Sequence, residues 1–409
     1  MYSFMKKREY GVLNPLRLER AETTRRAYNL QLSKSKELAL SHRGGVNSVK
    51  IEAIEQRYLL SGGADGKVHV FDLQAIPAEH MRNEPIASTA RVDRHKYAVT
   101  SVSWFPFDTG MFVTSSYDTT IKVWDTNEMK PAYVFDMESR VNCQAMSPIA
   151  SHSLVASAAS EPRIRLCDLN SGAFTHSLTG HSGSVLACTW SMNREYILYS
   201  GGDDRTIRVW DIRRASSCLM SLDQDNAGKR PCTPLIVALH LFAPPPPFLA
   251  MRDPLAETNT AHGKGVNGLT MTPDGRYLVS LGLDEKIRLW DTESGENTFV
   301  NYGSSWRNRF KLHMEATVSS TEVWPPLLYI PSDDRQVLVY RLLDGVLVQR
   351  LKGAYGRVIC VEKRDAYQEY YSGSNGGEIL VWEPPIQGDT LDAMEDVDLD
   401  AWSASETEA

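Results

Sequence analysis

The sequence predicts an all-β fold in which seven similar units of four short strands follow one another along the chain. Two observations predict it. A set of marker residues recurs at constant spacing, and short runs of β-branched and aromatic residues, such as 121–124 and 207–210, alternate with turn residues. The composition agrees with a folded protein, because 409 residues of which 42% are hydrophobic can bury a sizeable core.

Four complete units carry the same markers in the same order: a His, a Ser or Thr, an Asp in a polar turn, and an aromatic residue followed by Asp. The His precedes the final Asp by 30, 30, 30 and 29 residues, and the turn Asp always precedes it by seven. Such constant spacing indicates a structural repeat. The four sets are His42/Ser61/Asp65/Phe71-Asp72, His95/Thr114/Asp118/Trp124-Asp125, His181/Ser200/Asp204/Trp210-Asp211 and His262/Ser280/Asp284/Trp290-Asp291.

Three degenerate copies bring the number of repeats to seven; they end at Cys167-Asp168, Tyr340-Arg341 and Trp382-Glu383. A repeat of this length with a Trp-Asp ending resembles the WD-repeat family, whose members fold as β-propellers. We therefore expect a seven-bladed β-propeller over residues 30–383. Asp211 and Asp291 are 80 residues apart, whereas neighbouring repeats are 43 apart, which indicates an insertion at about 225–258. This insertion is either a disordered segment, which could be unspliced sequence, or a polyproline ligand loop.

The closure of the ring is the next physical question, because an unpaired outer strand exposes backbone donors and acceptors. The seventh repeat ends at Glu383-Pro384-Pro385, and prolines cannot continue a sheet. The outer strand of the last blade must therefore come from elsewhere in the chain. Residues 30–41, which lie just before the first repeat, are the candidate closing strand.

Ser, His and Asp in one repeat resemble a hydrolase triad superficially. An enzyme of that kind needs one such constellation, whereas this chain has four at equal spacing. The WD-repeat resemblance implies instead that buried hydrogen bonds join Asp to His, His to Ser or Thr, and Ser or Thr to Trp. We predict no catalytic residue. The predicted hydrogen-bonded tetrad residues are His42, Ser61, Asp65, His95, Thr114, Asp118, Trp124, His181, Ser200, Asp204, Trp210, His262, Ser280, Asp284 and Trp290.

Other motifs that carry chemistry are missing from the sequence. It has no phosphate-binding loop, dinucleotide fingerprint, H-E-x-x-H or G-x-S-x-G motif in a usable context, so an enzyme is not expected. Six cysteines without C-x-x-C spacing suit reduced thiols in the cytosol or nucleus, and we predict neither a metal site nor a cofactor. The longest apolar run, residues 235–243, is too short to cross a bilayer.

The two ends of the chain have opposite charge. Residues 1–50 contain eleven Lys and Arg against four Glu, whereas residues 384–409 contain eight Asp and Glu and neither Lys nor Arg. The acidic tail, residues 384–409, is expected to be disordered. Within it Ser403 and Ser405 each have a Glu three residues further on, which makes them candidate sites for an acid-directed kinase.

Residues 1–29 are predicted to form a helical arm. Asn14 is a suitable N-cap and Pro15 a suitable first residue for a helix that runs to about Tyr28, with Glu22 and Arg26 spaced for an ion pair. The arm is either a solvated helix or a docking helix outside the ring, and composition alone leaves both alternatives open.

Several segments outside the repeat markers resemble the Cockayne syndrome A family of WD-repeat proteins. They are 14–18 (NPLRL), 20–26 (RAETTRR), 108–112 (DTGMF), 213–216 (RRAS), 296–298 (ENT), 300–303 (VNYG) and 400–403 (DAWS). The resemblance implies a non-catalytic substrate-recognition subunit of a cullin-4 RING ubiquitin ligase, acting in transcription-coupled nucleotide-excision repair. It also implies docking onto the large damaged-DNA-binding adaptor subunit through Pro15, Leu16, Leu18 and Arg20 of the arm. Arg213, in the motif Trp210-Asp211-Ile212-Arg213, is the implied second contact.

The same resemblance implies the targets and the compartment. The Cockayne syndrome B remodelling ATPase and stalled RNA polymerase II are the implied targets, and the implied location is the nucleus, including chromatin and the nuclear matrix. The alternative function is a chromatin- or histone-binding scaffold without ligase association. A direct reader of damaged DNA would need a concentrated basic face within the ring, which the charge balance of −6 over residues 51–383 disfavours, although a local patch stays open.

Overall fold

A computed structural model describes residue 6 and residues 15–75, 82–149, 151–214, 218–226 and 260–385. In this part of the chain the α-helix α1 (Pro15–Tyr28) precedes 27 strands, which form seven separate antiparallel sheets, and a short 3-10 helix (Asp365–Tyr367) lies between two strands of the last sheet. The sheets are the blades of a β-propeller, which confirms the predicted fold class. None of the described helices is both long and apolar enough to cross a membrane.

The blades are numbered by the order of their first strands along the chain, and each strand hydrogen-bonds to the next within its blade. Blade 1 contains β2 (Val46–Ile51), β3 (Tyr58–Gly63), β4 (Val68–Asp72) and β5 (Ala87–Ser88). Blade 2 contains β6 (Val99–Trp104), β7 (Met111–Ser116), β8 (Thr120–Asp125) and β9 (Lys130–Asp136). Blade 3 contains β10 (Val141–Met146), β11 (Leu154–Ala159), β12 (Arg163–Asp168) and β13 (Ala173–Thr179). Blade 4 contains β14 (Val185–Trp190), β15 (Ile197–Gly202), β16 (Ile207–Asp211) and β17 (Cys218–Ser221).

The remaining blades follow the same order, with β1 (Gln31–Leu32) completing the last one. Blade 5 contains β18 (Val266–Met271), β19 (Tyr277–Gly282) and β20 (Ile287–Asp291). Blade 6 contains β21 (Thr317–Val318), β22 (Leu327–Ser332), β23 (Gln336–Arg341) and β24 (Leu347–Lys352). Blade 7 contains β25 (Val358–Arg364), β26 (Glu369–Ser374), β27 (Ile379–Glu383) and β1. Second strands such as β15 are buried along their whole length, because neighbouring blades cover both of their faces.

Blade 5 departs from the predicted four strands, since its sheet has three described strands and only an isolated pairing of Trp290 with Asn297 at the outer edge. The reason lies in the contacts of Asn297. Its backbone N–H donates to the Asn226 side chain and its side-chain amide donates to the Gln224 carbonyl, which ties it to the segment after blade 4. Two residues later Phe299 adopts a left-handed φ of 57°, which turns the chain out of the strand conformation.

The N-terminal segment closes the ring. β1 pairs antiparallel with β27, with Gln31 opposite Glu383 and Leu32 opposite Trp382, and the Ser33 N–H donates to the Val381 carbonyl at 2.9 Å. β1 lies inside residues 30–41, the segment from which a closing strand is expected. The outer edge of the last blade is therefore paired over these residues.

Charged side chains reinforce the closure. The ammonium of Lys36, four residues beyond β1, contacts the buried carboxylate of Glu369 in β26 and lies 3.4 Å from Glu383 in β27. The hydroxyl of Ser33 also donates to Glu383. Burial raises the pKa of the Glu369 carboxyl, but the contacts from Lys36 and Tyr371 outweigh it and hold that pKa below its usual value. The closing segment is thus bound to blade 7 by both backbone pairing and ionic contacts.

The second half of α1 packs onto the ring. Ala27 and Leu30 are buried with Leu327 and Tyr329 in the apolar core shared by blades 6 and 7. The Tyr329 hydroxyl donates to the Ala27 carbonyl at 3.2 Å. The C-terminal end of the arm is therefore bound to the ring by apolar packing and by this hydrogen bond.

Candidate functional site

The strand order defines two faces of the ring. On the face we name the lower face, loops join the first to the second strand and the third to the fourth strand of each blade. On the upper face, loops join the second to the third strand and one blade to the next.

α1 contacts the lower face. The backbone N–H of Trp324 donates to the Thr24 hydroxyl at 3.2 Å, and the side-chain amide of Gln368 donates to the Thr23 hydroxyl at 3.3 Å. Trp324 precedes the second strand of blade 6, and Gln368 that of blade 7.

The structure brings the predicted tetrads together near the upper face. In blades 2, 4 and 5 His Nδ1 lies 2.9 Å from the turn Asp and His Nε2 lies 2.7 Å from the Thr or Ser hydroxyl. The indole N–H of the tetrad Trp donates to the same hydroxyl at 2.7 to 2.8 Å. The tetrads are His95/Asp118/Thr114/Trp124, His181/Asp204/Ser200/Trp210 and His262/Asp284/Ser280/Trp290.

Burial and hydrogen bonding set the charge state of the tetrads. Burial raises the pKa of the carboxyls of Asp118, Asp204 and Asp284, but the hydrogen bonds from their histidines outweigh it and leave each pKa well below its usual value. Burial lowers the pKa of His95 and His262, so their imidazoles are held in the neutral form. Each tetrad therefore links an inter-blade loop to the second and third strands of its own blade.

The hydrolase interpretation does not fit this geometry. Ser200 is fully buried, and its Oγ is shared by His181 and the Trp210 indole. A nucleophile needs an open side from which a substrate can approach, which Ser200 lacks. The tetrads act as structural connections between loop and sheet.

Blade 1 has an altered tetrad. His42 Nδ1 lies 3.1 Å from Asp65 and His42 Nε2 lies 2.9 Å from the Ser61 hydroxyl, but Phe71 replaces Trp and has no N–H to donate. The ring of His69 packs edge-on against His42 with centroids 4.5 Å apart. Burial, followed by the neighbouring His42, lowers the pKa of His69 to about 4. Sequence reasoning missed His69, because this histidine is not one of the repeat markers. The other complete repeats have Lys or Arg at its position, two residues before the aromatic residue.

Arg213 lies on the lower face, in the loop between the third and fourth strands of blade 4. Its guanidinium makes two contacts of 3.0 Å to the buried carboxylate of Asp211 and lies over the Tyr196 ring, 4.8 Å from its centroid. The side chain nevertheless remains 61% exposed. Asp211 and Tyr196 thus hold Arg213 in a fixed position from which a partner can reach it.

The predicted arm residues lie in α1, on the same face. Pro15, Leu16 and Leu18 are in the first turn and a half of the helix, and the structure describes their backbone only. Arg20 is exposed.

Ion pairs link successive turns of α1. Glu22 pairs with Arg26 at 3.0 Å, as its spacing predicts, and also with Arg25 at 2.7 Å. The hydrogen bond from Arg25 lowers the pKa of Glu22 to about 2.

Trp324 is a residue of the lower face that sequence reasoning missed. It is 70% exposed and lies beside α1, whereas the four tetrad and blade-end tryptophans are buried. The available signal was the run Trp324-Pro325-Pro326, which falls outside every repeat marker. Large exposed aromatic side chains are enriched among residues that dominate protein interfaces.

Other predicted features lie outside the described residues. These are the acidic tail from 386 onward with Ser403 and Ser405, and the insertion from 227 to 258. Their predictions stand as made from the sequence.

Comparisons with known proteins agree with the repeat geometry. The family "WD domain, G-beta repeat" matches residues 35–72, 87–125, 172–211 and 254–291. The chain is 34% identical to the WD repeat-containing protein ATCSA-1 of Arabidopsis thaliana, over 98% of this chain and 100% of that protein. The chain belongs to the WD-repeat family.

More distant relatives share part of the ring. The Radiation-sensitive protein 28 of Saccharomyces cerevisiae is 25% identical over 68% of this chain and 55% of its own length. The Histone acetyltransferase type B subunit 2 of Candida glabrata is 24% identical over 59% of this chain and 51% of its own length. WD-repeat propellers generally serve as non-catalytic scaffolds, which agrees with the buried state of the tetrads.

Substitution of one tetrad aspartate tests the structural role of these residues. Asp204→Ala removes the partner of the buried His181 and should lower the free energy of unfolding by about 1–3 kcal/mol. The neighbouring Asp203→Ala is the matched control, because Asp203 is exposed and pairs only at the surface with Lys311. Urea unfolding of both variants measures the difference. Equal stability of the two variants would show that the tetrad does not hold the blade.

Neutral buried histidines give the ring a pH signature. The pKa of His262 is lowered in the folded state, so between that value and the ordinary value the unfolded chain binds more protons and stability falls as the pH falls. His262→Gln should therefore lose less stability between pH 7.5 and pH 5.5 than the unchanged protein does. His176→Gln, at an exposed position of β13, is the control and should follow the unchanged protein. Urea midpoints at the two pH values measure the slopes, and an undiminished slope in His262→Gln would contradict the assignment.

Proposed function

We propose that this chain is the non-catalytic substrate-recognition subunit of a cullin-4 RING ubiquitin ligase that acts in transcription-coupled nucleotide-excision repair. The observation that carries the proposal is the shared position of α1 and Arg213 on the lower face. The resemblance to the Cockayne syndrome A family assigns adaptor contacts to these two elements, which are far apart in the sequence. The 34% identity to ATCSA-1 along the full length of that protein supports the same assignment.

The adaptor, the large damaged-DNA-binding subunit, would cover the lower face of blades 4 to 7. α1 contacts blades 6 and 7, and Arg213 projects from blade 4, so one partner that bridges blade 5 can meet both. Ala27 and Thr23 anchor the second half of α1 to the ring, and residues 19–21 just before these anchors are exposed. A docking element that is already ordered loses less conformational entropy on binding.

Trp324 adds an apolar contact between these two elements. Its side chain is 70% exposed and its backbone N–H donates to Thr24 of α1, so a partner that binds the helix would approach this residue. Burial of a large aromatic side chain of this kind contributes strongly to interface stability. We therefore include Trp324 with Arg20 and Arg213 in the proposed adaptor surface.

The upper face remains for the targets. With the adaptor on the lower face, the Cockayne syndrome B ATPase or stalled RNA polymerase II would bind to the upper face or to the side of the ring. The chain would supply no nucleophile. It would raise the effective concentration of a target lysine near the ubiquitin-loaded enzyme, in the nucleus, as tethering does.

A histone-binding scaffold is the second candidate, favoured by the partial identity to the Histone acetyltransferase type B subunit 2. In that function the N-terminal helix would form part of a peptide groove, and the adaptor would not bind. Adaptor binding therefore separates the two functions.

The test is the affinity of the full chain for the purified adaptor, measured by surface plasmon resonance. Arg213→Ala should weaken binding about tenfold, which corresponds to ~1.4 kcal/mol. Lys130→Ala is the matched control, because Lys130 is an exposed cation after the corresponding loop of blade 2, on the other side of the ring. If the full chain does not bind the adaptor, the proposed function is wrong.

The structure also decides where the arm should be cut. Removal of residues 1–29 would take away Thr23 and Ala27, which anchor α1 to blades 6 and 7, and would confound docking with folding. Removal of residues 1–19 leaves these anchors and β1 in place. The shorter truncation should abolish adaptor binding while the urea midpoint stays unchanged. Full affinity after this truncation would exclude the arm as a dock.

A further inference from the structure

The altered tetrad of blade 1 forms a cluster of metal-binding side chains. One ligand atom from each of His42, Asp65 and His69 can be chosen so that all three lie within 4.8 Å of one another. Two imidazoles and one carboxylate form a donor set suited to Zn²⁺ and similar divalent transition-metal ions. We propose that this cluster binds one such ion, with Zn²⁺ as the ion that the donor set fits best.

His69 points to a missing ligand. The residue is 4% exposed, and among the described residues neither Nδ1 nor Nε2 has a well-formed hydrogen bond, although the Ser41 backbone lies close enough to interact weakly with the ring. Buried polar atoms are nearly always satisfied, and leaving one unpaired is costly. A metal ion bound by one of these nitrogens would satisfy it.

The other repeats show what blade 1 lacks. The strand position of His69, two residues before the aromatic residue, carries Lys122 in blade 2, Arg208 in blade 4 and Arg288 in blade 5. In blade 5 the guanidinium of Arg288 lies 3.2 Å from the tetrad carboxylate of Asp284 and 2.6 Å from His262. Blade 1 keeps the histidine and aspartate of the tetrad but has an imidazole where this cation belongs. A bound metal ion would restore a positive charge at the same place.

Phe71 leaves His42 free to act as a ligand. In a complete tetrad His Nδ1 faces the Asp carboxylate, which only accepts, so the histidine carries its proton at Nδ1 and its Nε2 accepts from the Ser or Thr hydroxyl, whose oxygen also accepts from the indole N–H. In blade 1 no indole occupies that oxygen, and Ser61 can accept a proton from His42 Nε2 instead. His42 Nδ1 is then free to bind the metal, with Ser61 as the outer partner that metal-bound histidines usually have.

The geometry needs only small adjustments. Ligands about 2.1 Å from Zn²⁺ in a tetrahedron lie about 3.4 Å apart, so small rotations of the His69 ring and the Asp65 carboxylate bring the three atoms to that spacing. A water molecule would complete the tetrahedron. Because His42 follows the closing segment and the other two ligands lie in blade 1, the ion would bind that segment to the ring.

The proposal is tested on the full chain after treatment with a chelator and dialysis. Co²⁺ serves as the spectroscopic probe, and the expected result is one equivalent with the visible absorption of a tetrahedral nitrogen- and oxygen-bound ion, displaced by Zn²⁺. His69→Leu should weaken uptake by about tenfold or more. The double variant Cys143→Ser/Cys188→Ser is the control for thiol binding and should retain the full signal. Uptake that persists in His69→Leu, or no uptake by the full chain, would overturn the proposal.

A stability measurement separates metal binding from a structural role of His69. Without metal, His69→Leu should be at least as stable as the unchanged protein, because it removes a buried imidazole whose nitrogens have no well-formed hydrogen bond among the described residues. Zn²⁺ should raise the melting temperature of the unchanged protein and leave that of His69→Leu unaltered. A metal-free His69→Leu variant that melts below the metal-free unchanged protein, together with no effect of Zn²⁺ on either, would assign His69 to the fold alone.

Discussion

The antiparallel pairing of Gln31–Leu32 with the last strand is the interaction on which the rest of the ring depends. The first and last blades pack against each other through an apolar cluster that includes Val46 and Cys360, and a segment that belongs to both blades adds backbone hydrogen bonds to this contact. Here the first strand of the chain completes the last blade, and Lys36 and Ser33 add contacts to Glu369 and Glu383. Without this pairing the final sheet would expose an unpaired edge.

The same constraint positions the docking elements. α1 ends three residues before β1, so closure of the ring places the helix on the lower face, where Ala27 packs into the core of blades 6 and 7. Arg213 reaches that face for an unrelated reason, because the Trp-Asp pair ends the third strand of its blade and the loop that follows lies on the lower face. The proposed adaptor surface therefore follows from how the ring closes and how each blade ends.

Sequence spacing predicted the parts of the structure that repeat. The constant distances from His181 to Asp204 and to Trp210 indicated a repeat, and the WD-repeat resemblance implied the hydrogen bonds that the structure contains. The prolines after Glu383 indicated that the last blade needs a strand from elsewhere. Contacts that occur only once carry no such signal. The anchoring of Thr23 by Gln368, the exposure of Trp324 and the burial of His69 against His42 each depend on packing between segments far apart or on a single substitution.

The central claim is that one segment both closes the ring and carries the dock. Amide hydrogen exchange, followed by mass spectrometry with and without the adaptor, tests it most directly. The account predicts that the amide of Ser33, which is bonded to the Val381 carbonyl, is protected already in the free chain. Residues in the first half of α1 and around Arg213 and Trp324 should gain protection on binding, whereas residues 31–33 should not. Rapid exchange at 31–33 in the free chain, with protection that appears only after the adaptor binds, would contradict it.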